Sequence, residues 1–260
     1  MRAMIRGIRP ASTGARPCKI CNAPAPLFGV ADFNRSCEEA RGRYLPLSGI
    51  AISYWRCPVC GFLFTDSFDD WTQADFKEYI YNDDYSAVDP DYREARPTDR
   101  AQWIARTFDK DKSRLRVLDY GGGNGLLSDM LRRGGFLAAE TYDPFTPEFS
   151  RLPGGRFDIV SCFETLEHLP DPAAGIAALA SLVAEPGIVI FSTLVQPADL
   201  PTQRMKWWYI GPRNGHVSMF TRFSLAMAWM RHGFATGSLD DNMHVAFRQF
   251  PDFAGHLIKR

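Results

Sequence analysis

No stretch of this 260-residue chain approaches the ~18 consecutive apolar residues that span a bilayer, and its first residues lack the apolar core of a secretory signal. A membrane-spanning or secreted protein is therefore not expected, and the cytoplasm is the expected compartment. Net charge is missing as well, since thirty Lys and Arg balance thirty Asp and Glu. A nucleic-acid partner, which calls for a basic face, is disfavoured. Hydrophobic residues at 45% and charged residues at 23% are those of a globular protein, and the length suffices to bury a sizeable core. Residues 1–17 carry Arg2, Arg6, Arg9 and Arg16 among Pro, Gly and Ala and are expected to form a disordered leader of no assigned function.

Four of the six cysteines, Cys18, Cys21, Cys57 and Cys60, form two CxxC pairs separated by a 35-residue insert. In a cytosolic chain this arrangement points to metal before disulfide. Each CxxC turn can aim two thiolates at one tetrahedral ion, which favours a closed, structural Zn²⁺ site, and Gly61 allows the tight backbone after the second pair. A redox pair and unrelated free thiols are the alternatives. Neither explains why the second pair follows the apolar run Ile50 to Trp55, as it would in a zinc ribbon. Residues 18–75 are thus read as a zinc-ribbon module, with Cys37 a reserve ligand inside the insert and Cys162 a packing residue.

Residues 76–95 are dense in aromatic and acidic side chains. Phe76, Tyr79 and Ile80 fall on one helical face, and Tyr81 and Tyr85 flank the turn Asn82-Asp83-Asp84. The segment is either a linker packing the module onto the rest or a lid that brings tyrosine hydroxyls to a substrate. A helix over 98–108 follows, so a second domain is expected over 96–260.

Within it the stretch Val117 to Gly125, VLDYGGGNG, is an apolar run that ends in an acid and becomes a glycine-rich turn. Glycines at 121, 123 and 125 remove side chains where backbone must turn sharply and approach a ligand. LLSDMLRR then forms a helix face capped by Gly134. Strands are expected at 137–142, 157–163, 187–195 and 244–250, with helices between, which argues for an α/β sheet with its ligand over the carboxyl ends. Asp143, at the end of the second strand, can accept ribose hydroxyls. Only about 14 residues separate it from the next strand, so a crossover helix is shortened or lost there. Cys162, Phe163 and Glu164 end the strand FDIVSCF, and His168 lies in the loop that follows; neutral imidazole can take a hydroxyl proton near pH 7. Glu167 is read as a brace for that loop. The long segment from Gln196 to Thr221 is too aromatic for a mere connection, with Trp207, Trp208 and Tyr209 offering flat faces and His216 a second titratable group.

Asp119-x-Gly121-x-Gly123-x-Gly125 resembles motif I of the class I S-adenosylmethionine (SAM) methyltransferases, and FDIVSCFETLEHLPDP resembles their motif after the fourth strand, most like the small-molecule and sugar branch. The resemblance implies a Rossmann-like seven-strand-type sheet. It also implies a SAM site formed by Asp119, Gly121, Gly123, Gly125, Asp143, Cys162, Phe163 and Glu164, with His168 facing the methyl-transfer site. On this basis the expected reaction is methyl transfer to a hydroxyl of a sugar, nucleotide sugar or glycan end. His168 and His216 are the expected catalytic residues, and Tyr81, Tyr85, Trp207 and Trp208 the expected substrate contacts. C-methylation of a keto sugar, an RNA methyltransferase and a non-catalytic SAM-binding module that recruits a protein partner are the rival readings.

Overall fold

The computed structural model describes residues 14–257, which divide into two compact units. One unit takes the chain up to Asp89 together with Glu167–Ala173 and Leu194–Met227; the other takes Pro90–Leu166, Ala174–Thr193 and the chain from Ala228. The start of the second unit lies close to the boundary expected near residue 96. The segment 194–227, expected with the second domain, instead belongs to the first unit, because a strand within it pairs there.

In the first unit, β1 (Arg16–Pro17) pairs antiparallel with β2 (Pro24–Ala25). Disorder was expected for the leader; most of it, residues 1–13, lies outside the described residues, and at Arg16 and Pro17 the expectation fails. Arg16 is held by Asp66, Nε to Oδ2 at 2.7 Å, and by the ring of Trp55, 4.9 Å from its guanidinium carbon. The main sheet of this unit is four-stranded, formed by β3 (Leu27–Asp32), β4 (Ala51–Arg56), β5 (Leu63–Phe64) and β10 (Ser218–Met219) in the order β10-β5-β4-β3. Pairing of Ser218 with Phe64 is what draws the late segment into this unit. The insert between the CxxC pairs is ordered by Asp32, whose carboxylate accepts from the backbone N–H groups of Asn34, Ser48 and Gly49. Helix α1 (Gln73–Tyr79) starts in a capping box between Thr72 and Asp75 and buries Phe76, and α2 (Tyr85–Val88) buries Tyr85. Phe68, Trp71 and Phe76 meet edge to face, Phe68 and Trp71 at 4.6 Å between ring centroids, so the aromatic density of 62–85 is largely core.

The second unit opens with α3 (Ala95–Thr107), which precedes β6 (Arg116–Tyr120). Helix α4 (Leu126–Arg133), β7 (Ala138–Tyr142), β8 (Phe157–Phe163), α5 (Pro172–Leu182) and β9 (Val183–Ser192) follow. The short α6 (Leu200–Gln203) falls in the segment that belongs to the first unit, and α7 (Arg222–Met230) leads from that segment to the hairpin of β11 (Ala235–Ser238) and β12 (Met243–Phe247). The sheet runs β11-β12-β9-β8-β6-β7, with β7, β6, β8 and β9 parallel and the hairpin antiparallel. Val117, Leu118, Ile159, Val160, Ile188, Val189 and Ile190 are all fully buried, the near-continuous apolar reading of strands covered on both faces. Each such side chain stabilises the fold by roughly 1.5–3 kcal/mol relative to exposure.

Among the described residues the sheet has six strands, the seven-strand-type arrangement with the shortened crossover that was expected after the second strand. Between β7 and β8 the chain forms only a 3-10 turn, Pro147–Phe149, too short for a crossover helix and a further parallel strand. β7 is therefore an edge, and Arg132 Nη1 donates to the carbonyl of Ala139 at 2.8 Å, occupying part of the ladder that an edge exposes. The strand expected at 187–195 begins earlier and ends at Ser192. His244 is buried on β12, with Nδ1 2.8 Å from Ser238 Oγ across the hairpin and Nε2 3.1 Å from the carbonyl oxygen of Thr193. Among the described residues no helix is long and apolar enough to cross a membrane.

Candidate active site

The second unit carries the expected strand, loop and helix at the carboxyl end of β6. Gly121, Gly123 and Gly125 have φ of +76°, +56° and +77°, the left-handed region in which a side chain is strained. Protein contacts account for some of the glycines. A Cβ on Gly121 would strike Thr165 Oγ1, one on Gly122 would strike the carboxylate of Asp119, and one on Gly125 would lie 2.6 Å from Phe149 Cζ. Gly123 differs, since a Cβ there would meet nothing within 4 Å. Open space beside a bare backbone at the end of a parallel strand is what close approach by a ligand requires.

Asp119 is buried, with Oδ1 accepting a 2.8 Å hydrogen bond from Ser161 Oγ on β8. Burial raises its carboxyl to about 7, the Ser161 bond opposes that shift, and the nearby Asp143 charge adds to it. Asp143 directly follows β7 and ties the two turns together, Oδ2 accepting from Gly123 N–H at 2.9 Å and Oδ1 from Phe145 N–H at 2.8 Å. Each oxygen keeps acceptor capacity for a hydroxyl. Glu164 has φ +46°, and a reciprocal pair of bonds holds it there: its N–H donates to Ser192 Oγ at 2.9 Å and Ser192 Oγ donates to its Oε1 at 2.6 Å. Strain retained by such a clamp at a strand end marks a candidate functional position. Cys162, expected along the cofactor, is fully buried, so its side chain contributes packing. Phe163 is half-buried beneath the guanidinium of Arg100, 5.5 Å from the ring centroid, and Arg100 Nε is buried with no hydrogen-bond partner.

The first unit holds two clusters. The Sγ atoms of Cys18, Cys21, Cys57 and Cys60 lie within 4.8 Å of one another, with Cys18 to Cys60 at 3.6 Å and Cys21 to Cys57 at 3.4 Å. Four thiolates at about 2.3 Å from a tetrahedral zinc stand about 3.8 Å apart, so the spacing fits the ion. The two turns have the same build. Cys18 N–H donates to Ala23 and Asn22 N–H returns to Cys18, while Cys57 N–H donates to Phe62 and Gly61 N–H returns to Cys57. Asn22 and Gly61 take φ of +63° and +75° at matching places. Backbone N–H groups of Ile20, Val59 and Cys60 point at the sulfurs from 3.4 to 3.5 Å.

The second cluster brings together residues singled out along the chain. One ligand-type atom from each of Glu167, His168 and His216 lies within 4.8 Å of the others. The rings of His168 and His216 are 5.0 Å apart, Tyr81 is 6.1 Å from His168, and Tyr85 is 5.1 Å from Tyr81. His168 Nδ1 is 3.2 Å from the carbonyl oxygen of Gly215, and His216 Nδ1 is 2.7 Å from that of Tyr209. A ring nitrogen facing a carbonyl carries the proton, which leaves the basic lone pair of each neutral ring on Nε2. Glu167 is fully buried and accepts a 2.6 Å bond from Tyr209 OH.

Other expected contacts are not available to a ligand. Trp207 is buried against Tyr209, at 5.4 Å between centroids, and only Trp208 of that pair is exposed. Tyr85 is buried, its hydroxyl donating to the carbonyl of Asn214 at 3.2 Å. Several organising residues were not singled out: Ser161, Ser192, Arg100, Arg213 and Asn214. Arg213 is buried and donates to the carbonyl of Ile80 and to Asn82 Oδ1, which holds the turn carrying Tyr81. Ser161 could have been found, being a polar residue inside the apolar strand FDIVSCF. The arginine bonds span more than a hundred residues and leave no local signal.

The model of the methyltransferase domain family matches residues 92–239, more than half of the chain. The chain belongs to that family. Its fold is the Rossmann-like sheet of the class I SAM methyltransferases, and the motifs at 117–125 and 157–172 lie inside the match. Among curated relatives, the ubiquinone biosynthesis O-methyltransferase of Aromatoleum aromaticum is 36% identical over 118 residues, 36% of this chain and 50% of the relative. That of Xanthomonas oryzae pv. oryzae is 34% identical over 150 residues, 47% and 63%. The chain spans about half the length of the curated relatives it matches. Among solved structures, the 1,6-didemethyltoxoflavin-N1-methyltransferase of Burkholderia thailandensis is similar with a TM-score of 0.49 and 15% identity, over 76% of this chain and 93% of that chain.

These relatives correct the expected acceptor. They are named for O-methylation in ubiquinone biosynthesis, not for a sugar, so the sugar, nucleotide-sugar and glycan reading is withdrawn. Keto-sugar C-methylation, RNA methylation and the non-catalytic module are withdrawn with it. Burial of Trp207 removes part of the stacking surface on which the sugar reading rested.

Proposed function

We propose that this methyltransferase transfers a methyl group from SAM to a hydroxyl oxygen of a small-molecule acceptor, in the manner of relatives named for ubiquinone biosynthesis. The open space at Gly123 carries the reading, because a Cβ on Gly121, Gly122 or Gly125 would meet protein atoms and one on Gly123 would meet none within 4 Å.

When bound, SAM supplies an electrophilic methyl group on a sulfonium. This chain's own residues do the rest. Ionised Asp119 offers negative charge beside the glycine loop, Asp143 offers acceptor oxygens suited to ribose hydroxyls, and Arg100 offers a guanidinium suited to a carboxylate. His168 takes the acceptor's proton at Nε2, a role for which the Gly215 carbonyl sets its tautomer. His216, fixed the same way by Tyr209, orients the acceptor or shares that proton. Tyr81 and exposed Trp208 are suited to the acceptor's flat faces. Cys18, Cys21, Cys57 and Cys60 hold a structural zinc; their closed, four-sulfur set leaves no position for a substrate.

Incubation with SAM and small hydroxylated acceptors, followed by mass spectrometry and NMR of the product, tests the reaction. A methyl ether is expected. A product methylated at carbon or nitrogen, or a folded protein that binds no SAM, would overturn the proposal.

A further inference from the structure

Within the first unit, the first cysteine turn is tied to the loop that carries His168. Lys19 lies between two of the four sulfurs, those of Cys18 and Cys21, so the turn that aims them also fixes its backbone. A lysine in such a turn would ordinarily extend into water. Here the side chain is only 13% exposed, and its ammonium directs all three donors at protein: 2.9 Å to the carbonyl oxygen of Thr65, 2.5 Å to Asp69 Oδ1 and 2.9 Å to the carbonyl oxygen of Pro170. Asp69 balances the charge and Thr65 directly follows β5, so these two bonds belong to the cysteine module itself. The third does not, since Pro170 stands 151 residues further along the chain and two residues after His168. Around that histidine, Val217 N–H donates to the carbonyl of Glu167 at 2.8 Å and Ser218 Oγ to that of Leu169 at 2.7 Å. Both of those anchors come from β10 or the residue before it. Lys19 adds a charge-assisted bond from a separate segment, on the carboxyl side of the histidine.

We propose that Lys19 is a positioning residue for the proton transfer: it holds the His168 loop in register with Gly215, whose carbonyl oxygen faces His168 Nδ1 at 3.2 Å, and so makes the cysteine turn a support of the site as well as of the fold. The inference rests on His168 as the base of the proposed reaction. A general base works only within hydrogen-bond reach of the proton it removes, and a displacement of about 1 Å can cost about 10²-fold in rate. Lysine suits the place because its three donors diverge from one nitrogen toward three acceptors, whereas the donors of an arginine lie in a planar fork.

Acceptor kinetics, SAM calorimetry, zinc analysis and thermal melts on the full chain carrying Lys19→Met test this. The expected result is a kcat lowered by about 10- to 100-fold, with acceptor KM, SAM affinity and bound zinc within twofold of the parent. A folded Lys19→Met protein with kcat within twofold of the parent would overturn the inference, as would an equal loss in kcat and in SAM affinity, which marks general loosening. Asp69→Asn removes the ion pair and leaves the Pro170 bond, so its kcat should stay within twofold of the parent. A fall as large as that of Lys19→Met would overturn the inference by assigning the effect to the ion pair. Should Lys19→Met not fold, Lys19→Arg decides by the same criteria, since it keeps the charge beside Asp69 and loses the three diverging donors. A parent chain that methylates no acceptor would instead remove the proposed reaction. Histidine ¹⁵N NMR then tests the contact by itself: a single Nδ1–H tautomer of His168 is expected in the parent and a mixture in the Lys19 variant, and an unchanged tautomer would overturn the inference.

Discussion

The glycine loop of the second unit and the histidine cluster of the first are built on different scales. Gly121 to Gly125 is one continuous turn between β6 and α4, shaped by its own glycines and by the carboxylate of Asp143 just after the neighbouring strand. The other cluster gathers Tyr81, His168, Tyr209 and His216 from three distant stretches, joined by ring contacts and by carbonyls of Gly215 and Tyr209. A site made by a local backbone conformation survives most distant changes. A site made by long-range packing depends on whatever draws its segments together, here the pairing of β10 with β5 and the cysteine turn between β4 and β5.

Predictions can break this contrast in order of expected effect. Cys57→Ser should reduce bound zinc from one ion per chain to none and unfold the first unit, since structural zinc contributes on the order of 10–16 kcal/mol in small modules. Metal analysis and a thermal melt read this out. A variant that stays folded and keeps its zinc would show that the cluster is not the ion's site.

Gly123→Val should abolish SAM binding with little effect on folding, because its Cβ meets no protein atom and left-handed strain costs only about 1–2 kcal/mol. Unchanged SAM affinity by calorimetry would mean that the open space is not the cofactor's.

His168→Ala should lower kcat by about 10²–10⁴-fold while SAM affinity barely changes, whereas His216→Ala should chiefly raise the acceptor KM. The reverse assignment would exchange the two roles. No effect in either variant would move proton removal to another group, such as Tyr81, whose ring is 6.1 Å from that of His168.

The smallest effect is a pH dependence of binding. Asp119 lies at about 7 in the folded chain, so affinity for the cationic cofactor should rise by about tenfold between pH 6 and 8 as the carboxyl ionises. Asp119→Asn should flatten that profile. Stability of the free protein should respond with the opposite sign, because a raised carboxyl favours the folded state below its ordinary 3.8 and that contribution is lost as pH rises through about 7. A binding profile that stays flat in the parent chain would remove Asp119 from the cofactor's charge balance.

The contrast also explains what could be read from residues alone. Strand β8 was expected at its observed limits, because FDIVSCF is apolar apart from Asp158 and Ser161, and Ser161 is its buried polar group. The loss of the crossover after β7 followed from chain length, since too few residues remained to form it. The two cysteine turns were legible because CxxC with Gly61 after it is a local geometry. By contrast, burial of Trp207 could not be inferred from a run of aromatics that serves a core and a pocket equally well. The sugar reading built partly on that run was overturned by relatives named for ubiquinone biosynthesis, which no run of aromatics could announce.

Sequence by itself determined the parallel α/β sheet, the cofactor turn, the acid at each strand end and the four metal-type cysteines. In each case the deciding force acts within a few residues, through backbone sterics, hydrophobic period or ligand spacing. Tertiary structure alone decided that 194–227 joins the first unit, that Arg213 holds the Tyr81 turn and that carbonyls set both histidine tautomers. It also decided that Phe149 lies on Gly125. Those contacts join residues that are remote along the chain, and they form only when burial of the intervening core has brought them together.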